Sequence, residues 1–239
     1  RDVAPSRGLG DVYKRQVSTE SGIPDFRSKD GLYNQQYTYP PEEILSHTFF
    51  INHTKEFYEF YNDKMNSLKY EPNITHIKLT ELEQKGILKA IVTQNIDGLH
   101  QKAGSKNVLE LHGSVHRNYC MKCGKFYDAK YVFNSIGVPK CICGGIIKPD
   151  VVLYEEGLNE DILEEAIYQI SNCDILIVGG TSLTVYPASG LIRYYSGNNL
   201  ILINKDATPF DNVANLVIKD SLGNIFKNLS LIHISEPTR

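Results

Sequence analysis

The chain has 239 residues, 41% hydrophobic and 22% charged, with a net charge of −3 and a pI near 6.2. That composition suits one large or two small domains with a buried core. It provides no global basic field for nucleic acid, and no apolar run reaches the roughly 20 residues of a membrane helix.

Residues 1–16, RDVAPSRGLGDVYKRQ, contain no strand-like apolar run. They lack the apolar segment of a secretory signal, so the chain is read as cytoplasmic with reduced thiols. From Val17 the sequence changes character: VSTESGIPDFRS carries small hydroxyls, Gly and Pro, the composition of a ligand-binding turn. Residues 31–70 are rich in Tyr and Phe and read as a helical insertion, clearest at YEFYNDKM. ITHIKLTELEQKG (74–86) predicts a helix with Ile74, Ile77, Leu79 and Leu82 near one face and Gly86 as its C-terminal stop. NEDILEEAIYQISNC (159–173) predicts a second helix, acidic in its first turn, with Ile162, Ala166 and Ile170 at helical spacing.

Four short runs rich in Ile, Val and Leu read as buried parallel strands: KAIVTQNID (89–97), NVLELHGS (107–114), DILIVGGTSL (174–183) and NLILINKD (199–206). Their alternation with helices predicts an α/β, doubly wound Rossmann-like sheet. Residues 17–30, 71–115 and 149–229 are assigned to that sheet domain. Residues 31–70 and 116–148 interrupt it as a helical insertion and a small zinc-ribbon domain.

Four of the five cysteines lie in the second interruption. Cys120 and Cys123 form C-x-x-C-G, and Cys141 and Cys143 form C-x-C-G-G, with residues 124–140 between the pairs. Four thiolates on two tight turns enclose a tetrahedral zinc, and a closed site of that kind is structural. The second pair is one residue shorter than the usual spacing. Cys173 ends a helix pattern ahead of an apolar strand and reads as a buried core thiol.

In an open α/β sheet, ligands bind beyond the carboxyl ends of the strands. Those ends carry Gln94, Asn95 and Asp97; His112 and Gly113; Gly179, Gly180, Thr181 and Ser182; and Asn204, Lys205 and Asp206. Amides and hydroxyls suit ribose and a carboxamide, and a Gly-Gly-Thr-Ser turn admits phosphate near backbone N–H groups. This is a nucleotide-like site without an intact G-x-G-x-x-G. Of the histidines near this edge (His100, His112 and His116), His112 is favoured, because it follows an apolar strand and precedes a Gly.

STESGIPDFRS (18–28), TQNIDGLH (93–100), LHGS (111–114), the paired cysteines, KPDVVLYEE (148–156), GTSLTVYPA (180–188) and INKD (203–206) occur in an order that resembles the sirtuins, the NAD-dependent protein deacylases. The resemblance covers most of residues 17–228. It implies a protein lysine deacetylase that moves the acetyl group of acetyl-lysine onto ADP-ribose and releases nicotinamide, with NAD and zinc as cofactors. His112 matches the general base, and Asn95 joins it as the other catalytic position. Asn95 and Asp97 match nicotinamide and ribose contacts, while Ile23, Pro24, Asp25, Phe26 and Arg27 match the loop over the cofactor. Ser18, Gln94, Gly180, Thr181, Ser182, Asn204 and Lys205 complete the implied cofactor set. Val151, Val152, Tyr154 and Val185 match the edges between which a substrate peptide adds as a strand. The implied partners are acetylated-lysine proteins, with no nucleic acid and no membrane. Where the acid-acyl branch carries Tyr-x-x-Arg, this chain has Tyr61 and Lys64, so neutral acyl groups are expected. The alternatives are a non-catalytic NAD or ADP-ribose binder and a zinc-ribbon module for nucleic acid.

The resemblance also implies an apolar strand and Gly-Ala-Gly before Val17, where this chain has Lys14, Arg15 and Gln16. Residues 1–16 and about 230–239 resemble translated adapter read-through and are expected to be non-native. Long side chains in place of those glycines obstruct a pyrophosphate. The chain as written is therefore expected to fold poorly and bind NAD weakly, and an apolar strand with Gly-Ala-Gly to recover both. Tight NAD binding by the unaltered chain in calorimetry would refute this.

Overall fold

All four apolar runs form parallel strands in the computed structural model, which describes residues 16–24, 38–181, 183 and 188–229. In chain order the elements are α1 (Gln16–Thr19), α2 (Pro41–Ile44), α3 (His47–Asn52), α4 (Thr54–Lys64), α5 (Ile74–Gln84), β1 (Ile91–Thr93), α6 (Leu99–Ala103) and β2 (Val108–Glu110). There follow β3 (Gly113–Cys120), β4 (Phe126–Tyr127), α7 (Ala129–Phe133), β5 (Ile147–Val151), α8 (Glu160–Ser171) and β6 (Leu176–Gly179). The chain continues through α9 (Ala188–Leu191), a 3-10 turn at Ile192–Tyr194, β7 (Leu200–Ile203), β8 (Leu216–Ile218) and α10 (Leu222–Asn228).

β7 shows why the sheet is covered on both faces. Ile201 and Ile203 pack toward Leu82 of α5 and Phe226 of α10, while Leu200 and Leu202 pack toward Ile192. Alternate residues of a strand point to opposite faces, so a continuous apolar run needs two helical layers. On the latter side α8 buries Ala166 and Ile170 against Leu111, Leu109 and Val92.

Among the described residues the parallel strands form two sheets, β1–β2 and β6–β7–β8, with no strand joining them. Ile175 and Ile177, at the open edge of β6, are 54% and 47% exposed.

The cysteine-bearing segment folds as the antiparallel sheet β4–β3–β5. Its strands β3 and β5 run through the expected boundaries at 115/116 and 148/149 and pair at Gly113↔Val151. Helices α2 to α4 pack on this sheet: Phe50, Phe57, Tyr58 and Tyr61 share one buried cluster with Val115, Ile147, Val151 and Leu153. The Tyr58 hydroxyl donates to the Ile147 carbonyl. Buried aromatics stabilise by roughly 2–3 kcal/mol each, so the two interruptions of the sheet domain stabilise one another.

Two expectations need correction. Helix α5 buries Thr75, His76, Thr80 and Leu82, while Ile77 is exposed. Two of its buried polar residues are held by side-chain hydrogen bonds: Thr80 Oγ1 bonds the His76 carbonyl and Ser105 Oγ, and His76 Nδ1 accepts from the Asn73 amide. Cys173 is half-buried, with Sγ 3.3 Å from the Ile170 carbonyl, because it follows the exposed C-terminal end of α8. Among the described residues no helix is long and apolar enough to cross a membrane.

Candidate active site and metal centre

The turn after β1 gathers the expected polar residues. Thr93 Oγ1 accepts from the Asn95 amide at 3.1 Å. Asn95 Nδ2 donates to Ser18 Oγ at 2.7 Å, and Ser18 Oγ donates to Asp97 Oδ2 at 2.5 Å. The other carboxylate oxygen of Asp97 accepts from the Leu99 amide at 2.9 Å, at the start of α6. Ser18 and Asp97 are both buried. A buried carboxylate needs such donors to offset the loss of its hydration.

Asn73 ties the Val17–Gly22 turn to this network. Its Oδ1 caps α5 at Thr75, while its Nδ2 donates to the Val17 carbonyl at 2.6 Å and to Ser21 Oγ at 2.9 Å. One side chain thereby starts a helix and fixes a loop. Sequence reasoning passed over Asn73, although an Asn directly before a helical pattern is a known N-cap signal.

His112 is buried at the end of β2. Its Nδ1 lies 3.1 Å from the Gln94 carbonyl. A carbonyl only accepts, so Nδ1 carries the proton and the neutral ring has its lone pair on Nε2. The His112 carbonyl accepts from the Val152 amide at 3.0 Å. Gly113 follows with φ +73, and any Cβ there would overlap the Asp150 carbonyl. The second half of the site sits at β6 and β7. Gly180 is left-handed at φ +66 and its amide donates to the Ile203 carbonyl at 3.1 Å. Asn204 Nδ2 donates to the Thr181 carbonyl at 2.9 Å, leaving buried Asn204 Oδ1 without a partner among the described residues. An orphaned buried acceptor at a strand end fits a ribose hydroxyl.

The remaining expected residues divide by placement. Ile23 is half-buried, with its amide on the Ser18 carbonyl at 3.2 Å; Pro24 and Lys205 are exposed. Asp25, Phe26, Arg27, Ser182 and Val185 lie outside the described residues. Val151 is buried core, and Val152 and Tyr154 are half-buried. The run after Val152 is pinned at its end, where Glu156 accepts from the Leu153 amide at 2.9 Å and holds Lys148 Nζ at 3.0 Å. Glu155 adopts the left-handed φ of 75° usually left to glycine, and its carboxylate accepts from the Thr48 amide.

The four cysteines converge. Their sulfur atoms all lie within 4.8 Å of one another, with Cys120–Cys143 and Cys123–Cys141 each at 3.5 Å and no disulfide. Zn–S bonds of about 2.3 Å put tetrahedral sulfurs about 3.8 Å apart, so the set fits zinc. The Cys143 amide and the Tyr127 hydroxyl bond Cys141 Sγ and lower its thiol pKa to about 6, favouring the thiolate a metal needs. Gly145 lets the backbone pass close to Cys120 Sγ. The short C-x-C pair closes the site as well as a longer spacing does.

A sequence model of the Sir2 family matches residues 16–187. The chain belongs to the Sir2 family. Among similar sirtuins, an NAD-dependent protein deacetylase of Clostridium acetobutylicum is 62% identical over 217 residues, covering 89% of each chain. One of Clostridium tetani, with the same name, is 60% identical over 213 residues, 87% of this chain and 86% of its own. A Sir2–p53 peptide–NAD+ structure superposes with a TM-score of 0.75 at 40% identity, covering 89% of this chain and 87% of that one. A Sir2 structure with deacetylated p53 peptide and 3′-O-acetyl ADP ribose gives 0.79 at 39% identity, with the same coverage.

Beneath this sirtuin site lies a buried histidine pair with a measurable consequence. The His76 and His100 rings are 4.7 Å apart, and His76 Nε2 and His100 Nδ1 have no partner among the described residues. Burial, then the neighbouring His100, lower the His76 pKa to about 4, with Asp97 opposing; burial likewise lowers that of His100. The unfolded chain, with His near 6.5, therefore binds protons first as pH falls. Stability is fully present above about pH 6.5 and is lost between 6.5 and 4, by about 3 kcal/mol for His76 alone. Urea midpoints at pH 7.5 and 5.0 should differ accordingly, and His76→Gln should flatten the difference. Equal midpoints in the unaltered chain would contradict the burial argument.

Proposed function

We propose that this sirtuin is an NAD-dependent protein lysine deacetylase that transfers the acetyl group of acetyl-lysine to ADP-ribose. The observation that carries the reading is the anchoring of His112 Nδ1 on the Gln94 carbonyl, beside the linked side chains of Asn95, Ser18 and Asp97. Bound NAD supplies a ribose whose anomeric carbon becomes electrophilic as nicotinamide departs. Asn95 and Asp97 hold the nicotinamide and its ribose, with Ser18 and Gln94 completing that wall. Gly180, Thr181, Ser182, Asn204 and Lys205 hold the phosphates and the adenosine ribose. Ile23, Pro24, Asp25, Phe26 and Arg27 cover the cofactor.

His112 Nε2 then takes the proton of a ribose hydroxyl. The hydrogen bond to the Gln94 carbonyl keeps the proton on Nδ1, so that Nε2 is the nitrogen that accepts. The acylated peptide docks as an extended segment between the Val151–Tyr154 run and the segment around Val185. Cys120, Cys123, Cys141 and Cys143 hold zinc as a closed structural site.

The acyl group is neutral in this reading. Tyr61 is fully buried, stacked 5.4 Å from Phe57 and 5.7 Å from Phe133, and Lys64 Nζ lies 2.7 Å from Asp63. Neither offers the bidentate fork that suits a second carboxylate. The reading places the protein in the cytoplasm on its cysteine usage, with acetylated proteins as substrates and neither nucleic acid nor membrane as a partner.

Mass spectrometry of nicotinamide and O-acetyl-ADP-ribose tests the reading, on the unaltered chain and on a version with an apolar strand and Gly-Ala-Gly before Val17. His112→Ala should lower the rate by about 10²–10⁴-fold, and acetyl-lysine should be preferred over succinyl-lysine. Unchanged turnover in His112→Ala, or NAD binding without nicotinamide release, would favour a non-catalytic NAD or ADP-ribose binder.

A further inference from the structure

Strand β3 does not pair with β5 along its whole length. Gly113↔Val151 and Ser114↔Asp150 are in register, and pairing resumes only at Asn118↔Pro149. Residues 115–117 are therefore an excursion: Val115 and His116 bond the turn after β1, and Arg117 bonds two other strands. The Val115 amide donates to the Ile96 carbonyl at 3.0 Å. His116 Nε2 lies 2.9 Å from the Asp97 carbonyl. Arg117 bonds in two directions at once: Nη1 donates to Glu110 Oε2 at 2.6 Å, and Nε to Asp150 Oδ2 at 2.7 Å.

The two carboxylates sit on the two strands that matter most to the proposed chemistry. Glu110 ends β2, two residues before His112, and is buried. Asp150 lies in β5, beside Val151 and Val152. Backbone ties accompany the clamp here: the Val152 amide donates to the His112 carbonyl, and Gly113↔Val151 and Ser114↔Asp150 pair. A planar guanidinium with rigid donors fixes two carboxylates at a set separation, which a lysine does not.

We infer that Arg117 is a positioning residue: by clamping Glu110 to Asp150 it sets the acyl-peptide edge, Val151–Tyr154, at a fixed distance from His112. The inference rests on the deacetylase reading for its functional half. Its structural half stands on the clamp alone. The clamp adds no group to the chemistry; it acts on where the substrate lysine arrives, so it governs peptide affinity and leaves NAD affinity alone.

Arg117 itself is a poor first target, because its removal strands the buried Glu110 charge. Asp150→Ala cuts only the β5 arm, at a half-exposed carboxylate, and leaves Glu110 paired. Asp150→Asn keeps an oxygen that accepts from Arg117 Nε. Hydrogen exchange of the unliganded chain reads the joint through the Val152 amide. Asp150→Ala should speed its exchange about tenfold, Asp150→Asn should restore most of the protection, and β7 amides should not change. Unchanged Val152 exchange in Asp150→Ala overturns the clamp. In parallel, fluorescence anisotropy with a labelled acetyl-lysine peptide should show about tenfold weaker binding for Asp150→Ala, recovered by Asp150→Asn, with NAD affinity within twofold. Peptide affinity unchanged alongside faster exchange overturns the positioning role. No peptide binding by the version carrying an apolar strand and Gly-Ala-Gly before Val17, with the exchange result as expected, instead overturns the deacetylase reading and leaves the clamp standing.

Discussion

The carbonyl groups of residues 94–97 hold the site together. A strand that ends in a turn leaves its carbonyls to be satisfied, and the burial of this one makes that obligatory. Here the partners are the functional elements themselves. Gln94 takes the His112 ring, Ile96 takes the Val115 amide, and Asp97 takes both His116 and Ser67. A loop at the end of β1 thus orients an imidazole at the end of β2 and the start of β3. Its side chains, Asn95 and Asp97, reach the other way to Ser18. Side-chain chemistry and backbone satisfaction are divided between the two sides of one short turn.

This arrangement explains the local sequence. Gly98 is left-handed at φ +73, and the His116 ring fills the space a Cβ would take. Gly113 is left-handed because the backbone of β5 lies against it. The metal-bearing sheet and the aromatic helices α2 to α4 share one core, and that core includes Val151 and Leu153. Cys120 pairs directly with Ile147 of β5, so the cysteine cluster adjoins the strand that leads to the peptide edge.

Much of this was legible in the sequence. Strict apolar runs gave away β1, β2, β6 and β7, and the paired cysteines announced their convergence. Strand β8 was missed because LVI in NLVIKD is too short to separate from loop by periodicity. The buried face of α5 was misjudged because His76 and Thr80 are buried through hydrogen bonds, which an apolar count does not see. Asn73, Ser67 and Arg117 were passed over for the same reason: their value lies in partners 30 to 56 residues away, such as Val17 for Asn73 and Asp150 for Arg117. Spacing reveals a ligand set when its members are near in the chain. It says little about a polar network closed by the fold.

The central claim is that a backbone carbonyl fixes the tautomer of His112 and so prepares Nε2 to accept a proton. Nitrogen-15 NMR of the imidazole at pH 7.5, assigned through loss of the signal in His112→Ala, reads that state directly. The account predicts a protonated, pyrrole-type Nδ1 and an unprotonated, pyridine-type Nε2. The opposite tautomer, or a ring doubly protonated at that pH, would contradict it.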